Sequence, residues 1–139
     1  MSEHASILNW EENIDSGHKY LKTASNGQAR PTVFTPELTY QLTAMAIEKL
    51  LVGISQYHKQ MPTDHTLEGL VEGLALVCPL GKDMGDGIKA LWQFDDMCSL
   101  EPANRHIPTG GEVQWMLALA REVETFAREQ VKMTGDQKA

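Results

Sequence analysis

The stretch Thr35-Pro-Glu-Leu-Thr-Tyr-Gln-Leu-Thr-Ala-Met-Ala-Ile-Glu-Lys-Leu-Leu-Val-Gly-Ile-Ser-Gln-Tyr-His-Lys-Gln60 decides the fold. Thr35 can cap a helix, and Pro36 suits the first helical position, where its missing N–H leaves no bond unmade. Glu37 then sets a negative charge on the positive end of the helix dipole. These signals predict a helix over 36–60. Met45, Ala46, Ile47, Leu50, Leu51, Val52 and Ile54 cover most of its circumference. A helix apolar nearly all round is buried on most sides. It is expected either as the central helix of a bundle, or as part core and part dimer interface. Glu48 and Lys49 interrupt the apolar run and mark either its solvated edge or a buried pairing.

Upstream, Ile7, Trp10, Ile14, Gly17 and Leu21 alternate at spacings of three and four, one face of an amphipathic helix over 6–24. Gly27 is the expected left-handed stop. Downstream, residues 61–64 form a turn in which Thr63 or Asp64 can cap a third helix. Its apolar positions are Leu67, Leu70, Val71, Leu74 and Val77, and Pro79 and Gly81 end it. Three glycines over 81–87 read as a loop or a helix break. Ile88, Leu91 and Trp92 begin a further helical piece that Pro102 closes. Thr109 with Glu112 is a capping box, opening a last helix buried along Val113, Met116, Leu117, Ala120, Val123 and Ala127. Arg121, Arg128 and Lys132 suit the negative end of that helix. Four long helical legs with short connections and no strand predict an all-α, up-down bundle of four to five helices. It forms a single domain over 1–139, with frayed ends at about 1–5 and 134–139.

Composition fits that fold. The chain has 139 residues, 42% of them apolar and 22% charged. That is enough to bury a core without disulfide or metal support. Lys and Arg number 12 against 19 Asp and Glu, a net charge of −7. With no basic cluster, this argues against a dedicated DNA-binding domain. No apolar run is long enough for a membrane helix. Residues 1–9 lack a basic segment followed by an apolar one, so no signal peptide is expected and the cytoplasm is the expected compartment. Cys78 and Cys98 match no redox or zinc spacing and read as structural thiols.

The chemistry-bearing motifs are few. Residues 81–87 fail the phosphate-loop pattern, because Leu76 and Asp83 stand where Gly and Ser or Thr are needed. They fail the calcium-loop pattern because Gly85 and Gly87 replace ligands. His4, His18, His58, His65 and His106 contain no pair four apart, so no metal site and no cofactor is expected. No nucleophile elbow is present. Asn104-Arg105-His106, in the loop before the last helix, joins a phosphate binder to a proton shuttle, the minimal equipment for cleaving RNA through its 2′-hydroxyl.

The run Thr43-Ala-Met-Ala-Ile-Glu-Lys-Leu-Leu-Val-Gly53, then Tyr57-His58, then Pro62-Thr-Asp-His-Thr-Leu-Glu-Gly-Leu70 resembles a HEPN domain, the match covering about 35–74. The resemblance implies an up-down bundle that commonly dimerises, a minimal nucleotidyltransferase as partner, and a nucleotide as ligand. One branch of the family holds ribonucleases with Arg, four to six residues, then His. No His stands at that spacing after Arg30, Arg105, Arg121 or Arg128. The expected function is therefore non-catalytic: a homodimeric module binding a nucleotide or a protein partner. Lys49, His58, His65, Arg105 and His106 are the candidate ligand residues. The alternatives are an atypical ribonuclease or toxin component using Arg105 and His106, and a purely structural interaction bundle.

Overall fold

The structure, a computed structural model, describes residues 9–60, 66–91, 93–94 and 107–131. Side-chain caps set where most of its helices begin. Asn9 accepts from the Glu12 amide at 3.2 Å and opens α1 (Trp10–Asn26), which a 3₁₀ turn (Gly27–Ala29) follows. Thr35 opens α2 (Pro36–Tyr57) and Thr66 opens α3 (Leu67–Leu74), each by accepting from an amide three residues on. In α4 (Lys82–Ala90) no side chain caps the start; Gly81 turns the chain at φ +88°, a conformation costly for any residue with a Cβ. The capping box of α5 (Gly110–Gln130) is complete: Glu112 N donates to Thr109 Oγ1 at 3.2 Å and Thr109 N to Glu112 Oε1 at 2.9 Å.

The polar cross-links fix the helix directions. Asn13 bonds Gln56 and Gln28 bonds Thr39, so α1 and α2 run antiparallel. His18 meets Glu124 and Ser25 meets Arg121, so α1 and α5 are also antiparallel. His58 meets Gln130, C-terminal end to C-terminal end, and α2 and α5 are parallel neighbours. Helices α3 and α4 form one return leg. It starts beside the end of α2 and finishes where Phe94 packs on Tyr40, near the start of α2, at a ring separation of 5.6 Å. Among the described residues the fold is an all-α bundle of five helices in four up-down legs.

Helix α2 is the core of that bundle. Residues 50 to 55 are buried without a break, which requires neighbours on every side. Gly53 lets α1 approach, since a Cβ there would stand 2.7 Å from Ile14 Cδ1. The polar groups that burial traps are satisfied along the helix: Thr43 Oγ1 donates to Thr39 O at 2.7 Å and Ser55 Oγ to Leu51 O at 3.0 Å. The six residues predicted for the α5 stripe are all buried, and Leu119 joins them to pack over Gly87.

Four local expectations are corrected. Gly27 is not left-handed; its φ is −65°, and it is small because the Phe34 ring lies where a Cβ would be. Residues 82–87 are helix, not loop, because Gly81 alone makes the turn and the later glycines sit inside α4, against Val71 and Leu119. The cap of α3 is Thr66; Thr63 and Asp64 lie outside the described residues. Val77 is beyond the end of α3 and 40% exposed, so it is not part of the buried stripe. Among the described residues, no helix is long and apolar enough to cross a membrane.

Candidate functional site

Of the five residues expected to bind a ligand, Lys49 and His58 lie in the described structure, while His65, Arg105 and His106 lie outside it. Lys49 and His58 are nine positions apart on and beside α2. At 3.6 residues per turn that is about half a turn around and about 13 Å along, so the fold does not bring them together. His58 is the C-terminal cap of α2. Its Nε2 lies 3.3 Å from Gln130 Oε1, and its ring stands edge-on to Tyr57. Tyr57 in turn stacks edge-on against Trp10. Tyr57 and His58 together thus link the ends of α1, α2 and α5.

The densest array of polar contacts is elsewhere, where the C-terminal half of α5 crosses α1. Glu124 Oε2 takes three donors: His18 Nδ1 at 2.6 Å, Arg128 Nη2 at 2.9 Å and Arg128 Nε at 3.2 Å. The Glu124 side chain is only 16% exposed, while those of His18 and Arg128 are 41% and 53% exposed. A half-buried carboxylate therefore holds an imidazole and a guanidinium at the surface. An ionised carboxylate accepts only, so His18 Nδ1 carries the hydrogen of this bond. Arg121, one turn earlier, reaches Ser25 Oγ at 3.4 Å. Lys22 is exposed and lies between His18 and Ser25 by helical spacing, on the same face of α1. Lys22, Arg121 and Arg128, with the His18 imidazole beside them, form a basic strip on a chain of net charge −7, in which Glu124 already answers the Arg128 charge. Lys22, Arg121 and the guanidinium edge of Arg128 that Glu124 does not take are the donors this face can offer an oxyanion such as phosphate.

Arg121 also lines a cleft of about 370 Å³ between α4 and α5, with Met84, Glu122, Thr125, Phe126 and Glu129. The strip and the cleft share this one guanidinium. The start of α4 offers less. Lys82 Nζ is held by Asp86 Oδ2 at 2.7 Å, a bond that raises the lysine pKa and lowers the carboxyl pKa. Its charge is thus already answered within the helix. Cys78 is buried, and that burial raises its thiol pKa, which makes it a poor nucleophile. Among the described residues, no group of three or more His, Cys, Asp or Glu is placed to hold a metal ion.

The sequence shows Glu124 and Arg128 as an i,i+4 pair, but nothing local ties them to His18, 106 positions away. Only the antiparallel packing of α1 on α5 makes the array. The chain matches no family model, no curated protein and no solved structure.

Proposed function

We propose that this protein is a HEPN-like, non-catalytic helical module that binds a nucleotide on the face where α5 crosses α1. The observation that carries the reading is the basic strip of Lys22, Arg121 and Arg128 beside the His18 imidazole, in which Glu124 holds His18 and Arg128 in place. On an acidic protein, clustered and preorganised donors concentrate whatever attraction the surface has for phosphate. The resemblance over 35–74 supplies the module class, with a minimal nucleotidyltransferase as its protein partner.

The module acts as a homodimer. Leu38 and Met45 are 37% and 38% exposed, and half-buried Leu42 lies between them, one apolar stripe on the outer side of α2. Such a stripe favours a self-complementary two-fold contact.

Thermal unfolding with nucleoside mono- and triphosphates and with pyrophosphate tests the binding. A ligand at a hundred times its Kd adds about 2.7 kcal/mol of apparent stability, several degrees for a domain of this size. The stabilisation should vanish in Arg121→Ala/Arg128→Ala. No stabilisation of the unsubstituted protein by any of these anions would overturn the reading.

A further inference from the structure

The exposed face of α2 carries opposite charges on its two flanks. At about 100° per residue, Leu38 and Met45 point within about 20° of each other and form an apolar ridge. Glu37, Gln41 and Glu48 lie about 40–80° to one side of Met45, and Leu42 and Lys49 about 40–60° to the other. Leu42 also closes a groove of about 310 Å³ with Ser16, Lys19, Tyr20 and Thr23, so the Lys49 flank is the one that meets α1. Gly17 packs against Leu50 and Gly53 against Ile14, which sets Lys19 level with residue 48 of α2. Lys19 pairs with Asp15 at 3.1 Å, but both side chains are mostly exposed and an ammonium has three hydrogens to donate. The face is therefore an apolar ridge between a flank bearing Glu37 and Glu48 and a groove bearing Lys19 and Lys49.

We propose that a second copy of the chain docks on this face with its α2 parallel to the first, the two-fold axis running along the helices. This inference rests on the proposed homodimer and adds the orientation and the residues that set it. Two self-complementary arrangements are open to such a ridge. An axis along α2 carries each flank onto the opposite flank of the partner without changing its level. Glu48 then meets the partner's Lys19 and the partner's Lys49, and the symmetry makes this contact twice. An axis across α2 makes the helices antiparallel and carries each flank onto its like, carboxylates against carboxylates. Complementary charge selects the first arrangement, and like charge rejects the second. On the ridge, Leu38 faces the partner's Leu38 and Met45 the partner's Met45, whose unbranched side chains adapt their fit.

Cysteine cross-linking and light scattering of the full chain test the orientation. Leu38→Cys and Met45→Cys, each alone, should form disulfide-linked dimers on mild oxidation, above the background that the unsubstituted chain gives from Cys78 and Cys98. In an antiparallel pair at most one of these positions lies on the axis, and cross-links between the two variants would dominate a mixture of them. Lys49→Glu, at a half-buried position on the groove flank, should weaken self-association about tenfold or more with little change in melting temperature. Mixed cross-links in excess, or self-association untouched by Lys49→Glu, would overturn the parallel orientation and leave the dimer standing. A mass of 15.5 kDa at every concentration would overturn both.

Discussion

A Cβ placed on Gly17 would stand 2.6 Å from Leu50 Cγ and 3.0 Å from the Ala46 carbonyl oxygen, so α1 and α2 touch where only glycine fits. Leu50 is fully buried and its Cγ is near the root of the side chain, so it cannot swing aside. Gly17→Ala should therefore destabilise by about 1–3 kcal/mol through overpacking, in spite of the roughly 1 kcal/mol that alanine gains over glycine in a helix. The denaturant midpoint should fall with an unchanged m-value. An equal or higher midpoint would mean that the two helices can part at no cost.

Thr109→Ala should remove one half of the capping box that starts α5 and cost about 1 kcal/mol. Thr109→Asp, which keeps an acceptor at the cap, should restore most of the loss. Urea unfolding of the two variants separates the cap from mere loss of the threonine methyl: a Thr109→Asp protein as weak as Thr109→Ala would contradict the capping account.

The fold was legible where local signals agree with packing. Thr35-Pro36-Glu37 and Thr109 with Glu112 mark helix starts through bonds made within a single turn, so no tertiary knowledge is needed to read them. The unbroken burial of residues 50 to 55 follows from an apolar circumference that only a central helix can satisfy. Two of the misreadings concern glycines. Gly27 and Gly87 look like breaks, but each lies under a side chain distant in sequence or beyond its own helix, Phe34 and Leu119, and a sequence does not display who the neighbour is; Gly85 has room for a Cβ and simply continues the helix. The candidate site was harder still. Arg121 and Arg128 are visible as a basic edge on α5, yet His18 acquires meaning only through Glu124, and that pairing depends on how α1 lies across α5.

The His18–Glu124 bond should be worth about 1 kcal/mol, since the imidazole is well exposed and the carboxylate is not. A double-mutant cycle with His18→Ala and Glu124→Ala measures the coupling directly. Glu124→Ala should be the more damaging single change, because it frees Arg128 as well. Strictly additive effects would show that the 2.6 Å contact holds no net energy in solution.

A non-catalytic module should leave RNA intact. The purified protein, incubated with labelled single-stranded and structured RNAs without added metal, should give no cleavage above buffer. Cleavage that disappears in Arg105→Ala or His106→Ala would promote the ribonuclease reading, in spite of the missing spacing between Arg and His.

Dimerisation depends on a narrower surface than the apolar sequence of α2 suggests. Its C-terminal half is covered within one chain: Leu50, Leu51 and Ile54 are fully buried. What remains uncovered on α2 is the N-terminal stripe of Leu38 and Met45 with Leu42 between them, one face at spacings of four and three. Trp115 is also 38% exposed, but it belongs to α5 and is not continuous with that stripe in sequence. A two-fold contact through the stripe should be modest in area, so association should depend on concentration. Light scattering across a dilution series should show the mass rising from 15.5 kDa toward twice that value. Leu38→Glu/Met45→Glu, at positions already partly exposed, should hold the protein at the monomer mass with little change in its melting temperature. A mass of 15.5 kDa at every concentration would remove the dimer. A dimer that persists in the double variant would move the interface off α2, with Trp115 the next face to test.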